Sequence, residues 1–198
     1  MEAIGAMAMI RGSAGADDAA LVRSCLDGHP EAFDALVACY QRGIYNLAYR
    51  MLGNPEDAAD MTQETFVRAY SRLDTFDPAR SFLTWIRRIA TNLCIDHLRR
   101  RGTPDVSLEE RIEAGAQHAD GDAAASPSRA LEMSEDAQRV LAAVQRLPER
   151  QRAVLVLRYI ENLKIDEIAR TLRMPVGTVK TMLFRGRQAV REMVGDLG

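Results

Sequence analysis

This chain is poor in the features that usually announce chemistry or a membrane. Its three cysteines, Cys25, Cys39 and Cys94, are odd in number and far apart, and His29, His97 and His118 stand alone. Neither set has the paired spacing a zinc site needs, so no metal and no cofactor is expected. Each cysteine sits in an apolar helical pattern, which predicts reduced core thiols in a cytosolic protein. No apolar run approaches the roughly 18 residues of a membrane span. The N-terminus, MEAIGAMAMIRGSAGADD, has Glu2 where a signal peptide requires positive charge, and its apolar run is short and broken by Gly. A cytoplasmic location is the expectation. The sequence also lacks β-alternation, hairpin signals and Gly-rich phosphate loops. Its carboxylates lie on helix faces beside bases, without paired metal-ligand geometry, which argues against a nuclease or another enzyme.

A net charge of −2 conceals a strong asymmetry. Between Asp17 and Glu64 nine acids face only Arg23, Arg42 and Arg50. Between Arg170 and Arg191 there are Arg170, Arg173, Lys180, Arg185, Arg187 and Arg191 and no acid. Such a split suggests separate surfaces for a basic protein partner and for phosphates.

What is present is helical rhythm, giving an all-α reading with two small helical domains. Residues 1–16 read as a disordered tail and 17–101 as a helical bundle. A first short helix is capped by Asp17 or Asp18 and stops at Gly28. Glu31–Leu52 carries Phe33, Leu36, Val37, Tyr40, Ile44, Leu47, Ala48 and Met51 and closes at Gly53. Asn54-Pro55-Glu56-Asp57 starts a helix running to Leu73. That helix is expected to bury Ala59, Thr62, Phe66, Ala69, Tyr70 and Leu73. It shows Asp60, Gln63, Glu64 and Val67, with Arg68 beside them. An exposed valine among acids suits either a protein-docking face or a plain solvated one.

The stretch from Asp74 to Arg101, DTFDPARSFLTWIRRIATNLCIDHLRRR, is a loop turned by Pro78 followed by a basic amphipathic helix. Phe82, Ile86, Ile89, Ala90, Leu93 and His97 share one side. The opposite side gathers Thr84, Arg87, Arg88, Thr91, Asn92 and Arg99, with Ile95 the apolar intruder and Trp85 on the border. Guanidiniums, small polar groups and a half-exposed indole suit an unstacked nucleic-acid strand. An Arg-rich solvated helix with Trp85 in the core would account for the same residues.

Residues 102–128 are small, polar and acidic, with too little apolar surface to offset ordering entropy, and read as a flexible acidic linker. Residues 129–198 form a second helical unit. It ends in two segments, KIDEIARTLR and VGTVKTMLFRGRQAVREM, joined at Met174-Pro175: a helix-turn-helix. Val176, Val179, Leu183 and Val190 point inward on its last helix, and Lys180, Thr181, Phe184, Arg185 and Gln188 point out. An exposed Phe in that basic row suits thymine methyls and sugars; capping a neighbouring core is the alternative.

The blocks AFDALVACY, NPEDAADMTQETFVRAY, FLTWIRRIATNLCIDHLRRR, LPERQRAVLVLRYIENL and PVGTVKTMLFRGRQAV stand in the order and spacing of a known family. The chain resembles a bacterial RNA polymerase sigma factor of the extracytoplasmic-function type, over nearly its whole length from Asp18 to Met193. The resemblance implies a subunit that binds core polymerase and directs it to a subset of promoters. It places Asp60, Gln63, Glu64, Val67 and Arg68 against the clamp helices of the largest polymerase subunit, with the flap of the second-largest as a further contact. Asp74, Phe76, Asp77, Trp85, Arg87, Arg88, Thr91, Asn92 and Arg99 would meet the melted minus-ten element. Arg158, Thr178, Lys180, Thr181, Phe184, Arg185 and Gln188 would meet the minus-thirty-five element. The linker would resemble a segment threaded towards the polymerase active site. An anti-sigma factor is a further implied partner. Met182 departs from the polar residue many members carry there, which bears on promoter preference. A helix-turn-helix regulator with an N-terminal sensing or dimerisation domain is the competing assignment.

Overall fold

Asn54 sets the first firm boundary: its side chain accepts from the N–H groups of Glu56 (2.8 Å) and Asp57 (3.1 Å), and Pro55 fills the first helical position. The computed structural model describes residues 18–101 and 135–195, and every regular element among them is a helix. These are α1 (18–26), α2 (Glu31–Leu52), α3 (Pro55–Tyr70), α4 (Phe82–Arg101), α5 (Glu135–Gln145), α6 (Glu149–Leu155), α7 (Ile165–Leu172) and α8 (Val176–Val194). The expected tail (1–16) and linker (102–128) lie outside the described residues.

Gly53 ends α2 at φ 76°, a left-handed conformation that favours glycine, and its N–H donates to the Tyr49 carbonyl. Helices α2, α3 and α4 then pack mutually around Leu36, Ile44, Leu47, Met51, Phe82, Ile86 and Leu93. Asp18 on α1 accepts a 2.6 Å hydrogen bond from the Tyr40 hydroxyl, fastening α1 to α2.

The buried stripe of α3 differs from expectation. Ala58, Thr65, Phe66 and Ala69 are buried, whereas Ala59 is exposed, Thr62 is half-buried and Tyr70 leans, half exposed, on Phe33. Contact with both α2 and α4 rotates the inner face towards the groove between them. The helix also stops at Tyr70, and a 3₁₀ turn (Leu73–Thr75) buries Leu73 from the loop. The cysteines divide as well: Cys94 is buried, Cys25 half-buried and Cys39 exposed, so Cys39 is no core thiol.

In the C-terminal unit α8 packs along α6 and α5, with α7 across it. Gly186 eases this approach, since a Cβ there would press on the end of the Leu155 side chain. Helix α6 continues as a π-turn (Val156–Ile160), closed by the Glu161 N–H donating to the Val156 carbonyl. The wider turn rotates Tyr159 outward, 52% exposed, against its apolar rhythm. Val176, in the first turn of α8, is also exposed rather than inward.

The two units touch. Helix α4 packs against α6 and α7, and α2 against α5 and α6, so buried apolar side chains of both units form one continuous cluster.

Candidate DNA and polymerase interfaces

The Asp74–Arg80 loop is shaped by Asp77, whose carboxylate accepts from the Ala79 N–H (3.0 Å) and pairs with Arg80 (3.1 Å). Asp74 and Asp77 are exposed. Phe76 is buried and packs on Phe82 and Trp85, leaving the indole half-buried at the start of α4. Arg88 is half-buried, and Thr84, Asn92 and Arg99 are exposed along the helix. Two of the expected minus-ten residues do not reach the surface. Phe76 is 6% exposed, and Thr91 is fully buried with its hydroxyl donating to the Arg87 carbonyl (2.8 Å). Arg87, Thr91 and Ile95 form one stripe at helical spacing, and Arg87 on it meets Glu161 of the C-terminal unit at 2.6 Å. Ile95, the apolar intruder, is buried as well.

On α3, Asp60, Gln63 and Val67 are exposed, and Glu64 pairs with Arg68 at 2.7 Å one turn on. The face is therefore acidic and amide-bearing around a valine that is 58% exposed. Asp57, at the start of the same helix, is buried and pairs with Arg101, with His97 Nε2 3.4 Å from its other oxygen. This carboxylate ties the N-terminal end of α3 to the C-terminal end of α4.

In the helix-turn-helix, Arg173 turns the chain at φ 51° between α7 and α8. Lys180, Thr181, Phe184, Arg185 and Gln188 are exposed, Phe184 by 62%, and Thr178 is half-buried. Thr181 returns its hydroxyl hydrogen to the Gly177 carbonyl, and Gln188 donates to Glu192. Met182 is half-buried, on the flank of the row. Arg158 lies apart from it, with Nη1 donating to the Leu163 carbonyl (3.0 Å), which braces the turn after α6.

Three features escaped the reading of the sequence. Glu161 sits between the units, 2.6 Å from Arg87 and 3.6 Å from Arg50. Arg152 is buried and donates to the carbonyls of Met51 (2.6 Å) and Leu147 (3.2 Å). Desolvation pushes its pKa down to about 10, partly offset by Glu149, so it remains a cation at neutral pH. The third is an apolar groove of about 410 Å³ between α5, α6 and α8, lined by Val140, Val144, Leu155, Tyr159 and Val190. No spacing rule signals Glu161 or Arg152, because their partners lie in another part of the chain. Exposed Tyr159 was concealed by the π-turn.

A helical bundle bearing a basic, indole-edged helix, joined to a helix-turn-helix with an outward basic row, defines a DNA-binding protein of transcription. The sigma-70 region 2 family model matches residues 36–103, and the sigma-70 region 4 model residues 137–190. The chain is 41% identical to the ECF RNA polymerase sigma factor SigW of Bacillus subtilis over 184 residues, covering 89% of this chain and 96% of that one. It is 38% identical to the RNA polymerase sigma-H factor of Pseudomonas aeruginosa, covering 91% and 95%. Among solved structures, CnrH in complex with the cytosolic domain of CnrY matches with a TM-score of 0.61 and 28% identity, covering 90% and 97%. The sigma factor RpoE in complex with the anti-sigma factor NepR from Bartonella quintana shares the fold, with a TM-score of 0.65 at 20% identity, covering 84% and 98%. The chain belongs to the sigma-70 family, as a member of the extracytoplasmic-function type; it binds RNA polymerase and directs transcription initiation at promoters. That family is not a class of enzymes. No helix among the described residues is long and apolar enough to cross a membrane.

Proposed function

We propose that three separate surfaces divide the work of promoter opening. The α3 face of Asp60, Gln63, Glu64, Val67 and Arg68 docks on the clamp helices of the largest polymerase subunit. Trp85, Arg88 and Asn92, with Asp74, Asp77 and Arg99 around them, hold the melted minus-ten strand. Extruding a base costs a few kcal/mol, and stacking on an aromatic returns about 1–3. Lys180, Thr181, Phe184, Arg185 and Gln188, flanked by Thr178, read the minus-thirty-five duplex through bases and phosphates. The apolar groove between α5, α6 and α8 suits an amphipathic helix, such as one on the flap of the second-largest subunit. The protein works in the cytoplasm without catalysing a reaction itself. An anti-sigma factor restrains it, as the structural relatives seen with NepR and CnrY suggest.

The observation that carries this reading is the Asp57 junction. One buried carboxylate pairs the polymerase-facing helix with the end of the DNA-facing helix, so docking α3 also aims α4. The test is run-off transcription with purified core polymerase on fragments of the source genome. Discrete start sites that require the added chain are expected. Absence of both transcripts and association with core would overturn the assignment of these surfaces.

A further inference from the structure

Glu161 leaves the π-turn after α6 with its side chain only 8% exposed. One carboxylate oxygen lies 2.6 Å from Arg87 on α4, and the other 3.6 Å from Arg50 on α2. A carboxylate this deep persists because two guanidiniums of the other unit flank it. Close by, Arg152 donates to the Met51 carbonyl at the end of α2, a second tie across the same seam. Like charges oppose closure on the neighbouring flank, where burial and then Arg173 and Arg80 lower the pKa of Arg88. The closed packing thus leans on Glu161.

Promoter binding is incompatible with that packing. Elements centred ten and thirty-five pairs upstream are about 25 pairs apart, roughly 85 Å of duplex at 3.4 Å per pair. Units in direct contact cannot reach both. We propose that Glu161 is an autoinhibitory latch, whose carboxylate takes the place of a DNA phosphate on Arg87 and holds the C-terminal unit against the Arg87 side of α4, beside the strand-binding edge. The latch rests on the assignment of α4 to the melted strand. Polymerase and promoter together separate the units and free Arg87 for DNA.

Small-angle scattering on the full chain, with anisotropy of a short labelled single-stranded oligonucleotide, tests this without polymerase. Wild type is compact at low and moderate salt, because a pair this buried is screened little. Glu161→Gln is expanded at low salt and binds the oligonucleotide about three- to tenfold more tightly. Arg50→Gln, which leaves the strand-binding side intact, shifts both readouts in the same direction by less. A wild-type radius of gyration in both variants, each with unchanged helical circular dichroism, overturns the latch. Run-off transcription by wild type on the same preparations is scored separately: its failure removes the promoter assignment, while the radius still reports on the latch.

Discussion

The Phe76 ring lies 5.4 Å from the Trp85 indole, inclined at 59°, and both rings also touch Phe82 at 5.5 Å. A loop residue and the first turn of α4 thereby hold the chain's only tryptophan half in and half out of the bundle. Phe76→Ala should lower stability by about 3–5 kcal/mol, as for other buried aromatics, and shift Trp85 emission to the red. Urea unfolding followed by fluorescence measures both. An unchanged midpoint with unchanged emission would show that this cluster does not position the indole.

Asn92 is exposed on the edge of α4 that carries Trp85 and Arg88. Its loss removes no buried contact, so Asn92→Ala should leave stability within about 0.5 kcal/mol of wild type. Promoter opening, followed by permanganate reactivity of unpaired thymines, should fall while core polymerase binding stays constant. Equal opening at a limiting promoter counts against a strand contact here.

Gln63 and Glu64 occupy the docking face of α3, and the Glu64–Arg68 pair is a partly exposed one worth only a few tenths of a kcal/mol. The double variant Gln63→Ala, Glu64→Ala should therefore fold normally yet compete poorly for core polymerase. Competition against wild type for limiting core reads this out; parity between them removes the docking assignment.

Lys180 stands in the outward row of α8 with no carboxylate paired to it among the described ion pairs. If it neutralises one phosphate, Lys180→Ala should reduce the slope of log affinity against log salt by about one. Holoenzyme binding to upstream promoter duplex across a salt series gives that slope. An unchanged slope means the ammonium faces no phosphate.

The cysteines give a chemical check on the fold. Burial pushes the Cys94 thiol up to about 12, and burial with Glu31 and Asp34 raises Cys25. Thiolate is the reactive form, so both groups lose reactivity at neutral pH. Iodoacetamide should label exposed Cys39 first and Cys25 more slowly, reaching Cys94 only on unfolding. Early labelling of Cys94, seen by peptide mass analysis, would contradict the packing of α4.

Much of the architecture is legible in the amino-acid sequence. The bounds of α2 follow from its apolar rhythm and Gly53, and α3 begins where Asn54-Pro55 demands. The outward row of α8 came from periodicity, and Lys180, Thr181, Phe184, Arg185 and Gln188 all reach the surface. The misreadings share one cause. A wheel treats a helix as having one inner face, but α3 is packed by two neighbours and α4 by bundle and C-terminal unit together. Ala58 and Thr65 displaced Ala59 and Thr62 on one helix, and Thr91 and Ile95 went inward on the other.

Sequence alone determined the bounds of α2, the start of α3 and the outward row of α8, because caps, turns and apolar periods act within a few residues. Docking decided the remainder. Arg152 reaches a carbonyl 101 positions away, and Glu161 meets guanidiniums of α2 and α4. Such partnerships leave no local trace: a buried charge is tolerable only beside the group that compensates it, and only the folded chain brings that group near.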